Sequence, residues 1–298
     1  MQTVTTIAEL RRHLDAARAV GRTVGLVPTM GYLHAGHESL MVRASAECDD
    51  VVATIFVNPL QFAPDEDLDA YPRDLEGDTA LATRAGVDWL FVPSVEEMYP
   101  RPVATTVSVA GVSAAMEGAS RPTHFDGVAT VVAKLFNIVG PCHAYFGEKD
   151  FQQLAVIRRM VSDLSAPVVV VGCPTLREDD GLAKSSRNVY LSADERVAAP
   201  VLNRALRLGA DMIAAGETDA DVVRAAMAAE IATQSYGALD YVEVADADTL
   251  ELQQVCGPNS RLVGAVRFGR ARLIDNIGVG NVAQPVPATG TARGAHDV

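Results

Sequence analysis

Two histidines, His34 and His37, lie in the run Pro28-Thr29-Met30-Gly31-Tyr32-Leu33-His34-Ala35-Gly36-His37, which follows an apolar strand pattern and opens a helical one. Residues three apart at a helix start share a face. The N–H groups and dipole of a helix N-terminus favour an anion, and Gly36 leaves room for a ligand to approach the backbone. Two imidazoles beside such a site would donate hydrogen bonds to phosphate oxygens, and one could pass a proton. Two other readings stay open at this level. The pair could be surface histidines at a helix cap, or half a zinc site, although the block H-E-x-x-H is absent and no third ligand is evident.

Three further segments place polar groups at expected strand ends. Phe146-Gly147-Glu148-Lys149-Asp150-Phe151-Gln152-Gln153 offers Lys149 as a point charge for phosphate, Asp150 as a helix cap, and Gln153 facing the same rim one turn later. Lys184-Ser185-Ser186-Arg187-Asn188, after the acidic run Glu178-Asp179-Asp180, supplies donors for a triphosphate. Asn58-Pro59-Leu60-Gln61-Phe62 supplies neutral amides suited to hydroxyl and carboxylate groups. Taken alone, each of these also reads as a solvated turn or loop. The acidic residues between Asp65 and Asp69 read as a solvated face, and His124 and His143 as core or loop packing. No G-x-x-x-x-G-K-[ST] is present and no G-x-G-x-x-G follows a strand, so any nucleotide is held without a P-loop or dinucleotide fingerprint.

The elements that must carry these groups follow from periodicity. Thr6 caps a helix carrying Ile7, Leu10, Leu14 and Ala17, which Gly21 ends. Residues 23–27 and 51–57 read as buried strands, with a helix between them from about Gly36 to Cys48. A helix from about Asp74 to Arg84 leads to a strand at residues 89–92, and residues 103–109 alternate as an edge strand would. Val128, Val131, Val132, Leu135, Phe136 and Val139 recur at helical spacing. A strand at 144–146, a helix at 150–161 and a strand at 168–172 follow. Such alternation implies an α/β fold, a Rossmann-like parallel sheet with helices on both faces. Ligands bind beyond the carboxyl ends of such strands, which sets residues 28–37, 58–62, 147–150 and 175–188 on one rim.

The second half differs. Helical stretches at 193–215 and 218–233, the latter capped by Thr218, precede strands at 239–245, 261–267 and 271–276, with a hairpin turn at Gly269 and Arg270. This reads as a smaller C-terminal α+β unit. The expected organisation is residues 1–175, residues 176–280, and a tail 281–298, rich in Gly, Pro, Ala and Thr, expected to be disordered.

Composition narrows the function classes. The 298 residues are 49% hydrophobic with a formal net charge of −13, which suffices for a sizeable core and argues against nucleic acid or an anionic membrane surface as partner. Cys48, Cys142, Cys173 and Cys256 form no C-x-x-C pair and read as free thiols of a reducing compartment. No signal peptide is read in the first residues, and no apolar run approaches the ~18 residues of a membrane span.

Together, PTMGYLHAGH, IFVNPLQF, DAYPRDLE, RPTHFDGV, YFGEKDFQQL and SSRN, in this order from Pro28 to Asn188 and with a weaker echo at residues 273–277, closely resemble the pantothenate synthetase family. That family belongs to the nucleotidyltransferase-like superfamily with an H-x-G-H signature. The resemblance implies a cytoplasmic homodimer that uses ATP and Mg²⁺ to join pantoate to β-alanine through a pantoyl-adenylate, releasing AMP and pyrophosphate, with the second domain as a lid. It implies that Met30, Gly31, Tyr32, Leu33, His34, Ala35, Gly36 and His37 contact ATP, with His37 as proton donor. Gly147, Glu148, Lys149, Asp150, Leu176, Lys184, Ser185, Ser186 and Arg187 would complete the ATP site. His34, His37, Lys149 and Arg187 would carry the catalytic charge stabilisation, without a direct protein metal site. Gln61 and Gln153 would bind pantoate, and Gln61 would also receive β-alanine. Lys184 departs from the apolar residue usual before SSRN and adds a cation near ATP, and Asp74 stands where Thr is common. The rival is a nucleotidyltransferase of the same fold acting on a phosphorylated acceptor, against which the Gln61/Gln153 pair argues, since a phosphate ester would need more Arg. A non-catalytic nucleotide sensor and an aminoacyl-tRNA synthetase are disfavoured by the intact His34, His37 and Lys149 and by the short, acidic chain.

Overall fold

The computed structural model describes residues 1–62, 68 and 71–281. The acidic residues 65–67 and 69, and the tail from residue 282 onward, lie outside the described residues. The chain opens on a short strand, β1 (Gln2–Val4), and then α1 (Ile7–Ala19), where Thr6 Oγ1 accepts the Glu9 N–H at 3.3 Å and Leu10, Leu14 and Ala17 turn inward. Next come β2 (Val24–Val27), α2 (Ala35–Glu47), β3 (Asp50–Thr54), α3 (Leu75–Arg84) and β4 (Trp89–Phe91). Two short helices, α4 (Val95–Met98) and α5 (Glu117–Ser120), lead to α6 (His124–Val139), β5 (Cys142–Gly147), α7 (Phe151–Asp163) and β6 (Val168–Cys173).

Among the described residues, six strands form one sheet in the order β1-β4-β3-β2-β5-β6, and every pairing is parallel. All residues of β2 and β3 are buried, as a sheet covered on both faces requires. One face packs on α1, α6 and α7 through Leu10, Leu14, Val128, Leu135 and Leu154. The other packs on α2 and α3 through Leu40, Met41, Ala44 and Leu81. From β2 the chain builds outward through β3 and β4, then returns to the other side of β2 with β5 and β6. The topological switch therefore lies between β2 and β5. A crevice opens there beyond the strand ends, between the segments that carry His34/His37 and Lys149.

The C-terminal part has its own core. Helices α8 (Ala193–Ala198), α9 (Val201–Ala214) and α10 (Ala220–Ile231) pack through Leu202, Leu206, Val223 and Met227 on an antiparallel sheet of β7 (Gly237–Asp246), β8 (Ser260–Phe268) and β9 (Ala271–Gly278). β8 and β9 pair from Phe268↔Ala271 outward, across the expected turn.

Four local expectations are corrected. Residues 103–109 form no strand: Val107 N–H bonds Thr130 Oγ1 on α6 at 2.9 Å, and Val109 is buried in the first core, so the alternation reflects packing along a helix. The stretch 193–215 is two helices, because Pro200 lacks the N–H that a continuous helix needs. Asp219, rather than Thr218, caps α10, accepting from the N–H groups of Asp221 and Val222. Asp150 stands at the cap position of α7 but makes no capping bond, since its carboxylate faces Lys149.

Candidate active site

The loop after β2 is held by contacts that its own sequence does not reveal. Gly31 (φ 84°) and Tyr32 (φ 51°) are both left-handed, which for Tyr32 costs on the order of 1 kcal/mol. The Asp78 carboxylate, on α3, compensates by accepting the N–H of Tyr32 at 2.9 Å and of Leu33 at 2.6 Å. Asp78 is 3% exposed; its burial raises its pKa and the two N–H bonds act against that, leaving it above the usual carboxylate value. Thr29 ties the loop to β3, donating from Oγ1 to Thr54 O at 2.5 Å.

His34 is itself the cap of α2. Its Nδ1 accepts the Gly36 N–H at 3.1 Å, and His37 Nδ1 accepts the His34 N–H at 3.3 Å. With both Nδ1 atoms accepting from backbone, each neutral ring carries its proton on Nε2. The rings sit 4.1 Å apart, tilted by 37°. Burial, then Lys149, lowers the His34 pKa to about 4; burial, then His34, lowers that of His37 to about 3. Both are therefore neutral N–H donors at neutral pH, and His37 of the unliganded protein holds no spare acidic proton. Gly36 also makes room for the imidazole, since a Cβ there would lie 2.8 Å from His34 Cε1. Among the described residues no group of three His, Cys, Asp or Glu could hold a metal ion.

Asn58, after β3, is fully buried and orients Gln61. Its Nδ2 donates to Gln61 Oε1 at 3.0 Å and to Gly127 O at 3.1 Å, while its Oδ1 accepts from Tyr99 Oη at 2.9 Å. With Oε1 engaged, Gln61 has its Nε2 donors left for the cavity it lines. The Gln61 carbonyl lies 3.3 Å from Arg121 Nη2 and 3.2 Å from His124 Nδ1, so His124 belongs to this site and is not mere packing.

After β5 the chain makes a tight turn at Glu148–Asp150, and Lys149 Nζ lies 3.2 Å from Asp150 Oδ1. Burial raises the Asp150 pKa, but Lys149 and Arg187 outweigh it and hold the carboxyl below its usual value. Opposite stands the loop after β6, where Ser185 Oγ accepts the Arg187 N–H at 3.3 Å. Lys184 Nζ pairs with Glu178 at 2.8 Å within its own loop, while its side chain also lines the cavity described below. Across the crevice, Arg272 of β9 meets Glu117 of α5 at 2.7 Å, and Tyr241 Oη donates to the same carboxylate at 3.0 Å.

These groups converge on one cavity of about 740 Å³, within the range of small-molecule sites. Its wall includes Met30, His34, Gly36, His37, Gln61, Gly147, Lys149, Asp150, Gln153, Leu176, Lys184, Ser185, Ser186 and Arg187. Five expected ATP residues are not among those that line it. Gly31, Tyr32, Leu33 and Ala35 shape the loop and the helix start, and Glu148 turns toward Arg261 at 3.5 Å. Sequence reading missed Asp78, Asn58 as the orienter of Gln61, Arg121, Glu117, Tyr241 and Arg272. For most of these the tertiary contact is the only signal, although Asn58 lies in a stretch noted for its amides and Arg121 in one that carries the family resemblance.

The cavity thus joins two neutral imidazole donors, a cationic turn and a Ser/Arg loop at one end to neutral amides at the other. That arrangement fits a polyphosphate beside a small hydroxy acid. A family model described as Pantoate-beta-alanine ligase matches residues 2–278. The pantothenate synthetase of Moorella thermoacetica is 54% identical over 278 residues, 93% of this chain and 98% of that protein. The pantothenate synthetase of Sinorhizobium medicae is 54% identical over 277 residues, 93% and 95% of the two chains. The crystal structure of pantothenate synthetase from Thermus thermophilus superposes with a TM-score of 0.88 at 52% identity, covering 94% of this chain and 99% of that one. The pantoate-beta-alanine ligase from Francisella tularensis, complexed with beta-gamma ATP and beta-alanine, gives a TM-score of 0.76 at 31% identity over 94% and 98% of the chains. Matched over nearly its whole length, the chain belongs to the pantoate–β-alanine ligase family.

Proposed function

We propose that the cavity between β2 and β5 condenses pantoate with β-alanine in two steps, at the expense of ATP. One carboxylate oxygen of pantoate attacks the α-phosphorus, the bond to the β-phosphate breaks, and pyrophosphate leaves. The β-alanine amine then attacks the acyl carbon, loses a proton, and AMP departs with the attacking oxygen. The observation that carries this reading is the pairing of an Nε2–H-donating His34/His37 face and the Lys149 turn with the amide of Gln61 in one cavity. Family membership supports it independently. A nucleotidyltransferase acting on a phosphorylated acceptor is not favoured.

In this account His34 and His37 donate to the α-phosphate, where negative charge develops; Lys149, Ser185, Ser186 and Arg187 meet the departing pyrophosphate. Triphosphate charge brought beside the imidazoles favours their protonated forms, so His37 becomes a proton donor only once the nucleotide is bound. Gln61 and Gln153 hold pantoate, and Gln61 also faces the incoming β-alanine. Mg²⁺ fits as a companion of the nucleotide: Asp150 is a cavity carboxylate beside the cationic turn, and Mg²⁺ is commonly held by substrate phosphates with one or two carboxylates. Bound there it would neutralise charge on the leaving pyrophosphate. The division near Leu176, with the C-terminal unit as a lid that shields the adenylate from water, is part of the same proposal. So are the homodimer and the cytoplasmic location that the resemblance implies.

The test is isotopic. With pantoate labelled by ¹⁸O in its carboxylate, one label should appear in AMP, read by mass spectrometry. Unlabelled AMP alongside labelled pantothenate would exclude the adenylate route.

A further inference from the structure

We infer that Asn276 of β9 is a positioning residue for Lys149, an inference that rests on the reading that Lys149 meets phosphate. The Asn276 side chain is 4% exposed and fully engaged. Its Nδ2 donates to two successive backbone carbonyls, Glu148 O and Lys149 O, each at 2.9 Å. Its Oδ1 accepts from Arg261, at 2.8 Å from Nε and also from Nη2. Arg261 lies over the Phe151 ring at 3.8 Å and reaches Glu148 at 3.5 Å. One side chain of the C-terminal sheet therefore grips both peptide groups flanking the Lys149 Cα, and an arginine locks that side chain in place.

The strand that presents Asn276 is anchored to the opposite phosphate-facing loop as well. Asp275 pairs with Arg177 through both carboxylate oxygens, at 2.6 and 3.0 Å, and accepts from Asn203 at 3.3 Å. Arg177 begins the turn that returns at Lys184, whose N–H bonds Leu176 O at 2.9 Å, and Ser185 to Arg187 follow directly. The Lys149 turn and the Ser/Arg loop are thus docked on adjacent residues of β9. Only an amide serves at position 276, because the site needs two N–H donors and one acceptor; a carboxylate of the same shape would face two carbonyl oxygens.

The role separates from simple scaffolding in a double-mutant cycle on ATP affinity, read by calorimetric titration with ATP and Mg²⁺ in the absence of pantoate, so that no turnover is needed. Lys149→Ala and Asn276→Ala should each weaken ATP by roughly tenfold, and the double variant should bind no more than about threefold more weakly than Lys149→Ala alone. The KM for pantoate in Asn276→Ala should stay within about threefold of the parent. Should Asn276→Ala not fold, Asn276→Asp, which keeps the shape and removes the donors, carries the same cycle. Additive losses, or an unchanged ATP affinity in the position-276 variant, overturn the positioning role while leaving the reading of Lys149 intact. An unchanged affinity in Lys149→Ala overturns both.

Discussion

Replacing Gly127 by Ala should act at a distance on pantoate. Gly127 lies in the first turns of α6, where its missing side chain lets the helix touch the turn that carries Gln61. A Cβ there would sit 2.1 Å from Leu60 O, 2.5 Å from Leu60 C and 2.8 Å from Gln61 N. All three are backbone atoms, so no side-chain rotation relieves the clash. Restoring even the 3.0 Å floor of real contacts requires the helix and the turn to part by roughly 1 Å. Overpacking of this kind costs about 1–3 kcal/mol of stability, and misplacement of a substrate-positioning group by 1 Å costs about 10²-fold in rate. The same movement stretches the Asn58–Gly127 O bond that helps orient Gln61. The assay is pyrophosphate–ATP exchange as a function of pantoate, with thermal unfolding beside it. We expect kcat/KM for pantoate to fall about 10²-fold, with ATP affinity much less affected. Gly257→Ala, where a Cβ meets nothing within 4 Å, is the control and should be silent. A Gly127→Ala protein that is folded and retains kcat/KM for pantoate within threefold would refute the reasoning.

Three further outcomes follow from the same geometry. Asp78→Asn retains the shape but loses one of two acceptors for the Tyr32 and Leu33 N–H groups; it should cost about 1–3 kcal/mol and raise the ATP KM about tenfold, and an unchanged KM would show that the loop holds itself. His34 and His37 have folded pKa values near 4 and 3, below the unfolded value of 6.5. The unfolded chain therefore binds more protons between those values, so the stability present above pH 6.5 is lost as pH falls toward 4, by at most about 1.4 kcal/mol per pH unit for each ring. Thermal melts of the ligand-free protein at pH 7.5 and 5 should fall farther apart than those of a His34→Gln/His37→Gln variant; equal gaps would contradict this. Lys184→Met, because Lys184 is already paired with Glu178, should change the ATP KM by less than about threefold, and a tenfold rise in steady-state assays would show that its charge acts on the nucleotide despite that pairing.

The parallel sheet was legible because strands buried on both faces, such as β2 and β3, are short continuous apolar runs separated by amphipathic helices. Once that alternation is recognised, the ends of β2, β3, β5 and β6 fall on one rim, and the His34/His37, Gln61 and Lys149 segments fall with them. What stayed hidden depends on contacts distant in sequence. Asp78 reads as one more acidic residue in a first helical turn until the fold brings it, 45 positions on, beneath the Leu33 N–H. β1 has three residues with only Val4 buried, too little for a period. Residues 103–109 alternate, yet alternation records which side packs and not whether a neighbouring strand is present. Gly36 and Lys184 line the cavity as their types suggest, but that Gly36 makes room for an imidazole and that Lys184 pairs with a glutamate is visible only in the fold.

The most direct test of the central claim is pyrophosphate–ATP exchange with pantoate and Mg²⁺ and without β-alanine. The expected result is exchange that requires pantoate, followed by AMP release when β-alanine is added. Absence of exchange in folded protein that binds both ATP and pantoate would contradict the adenylate mechanism.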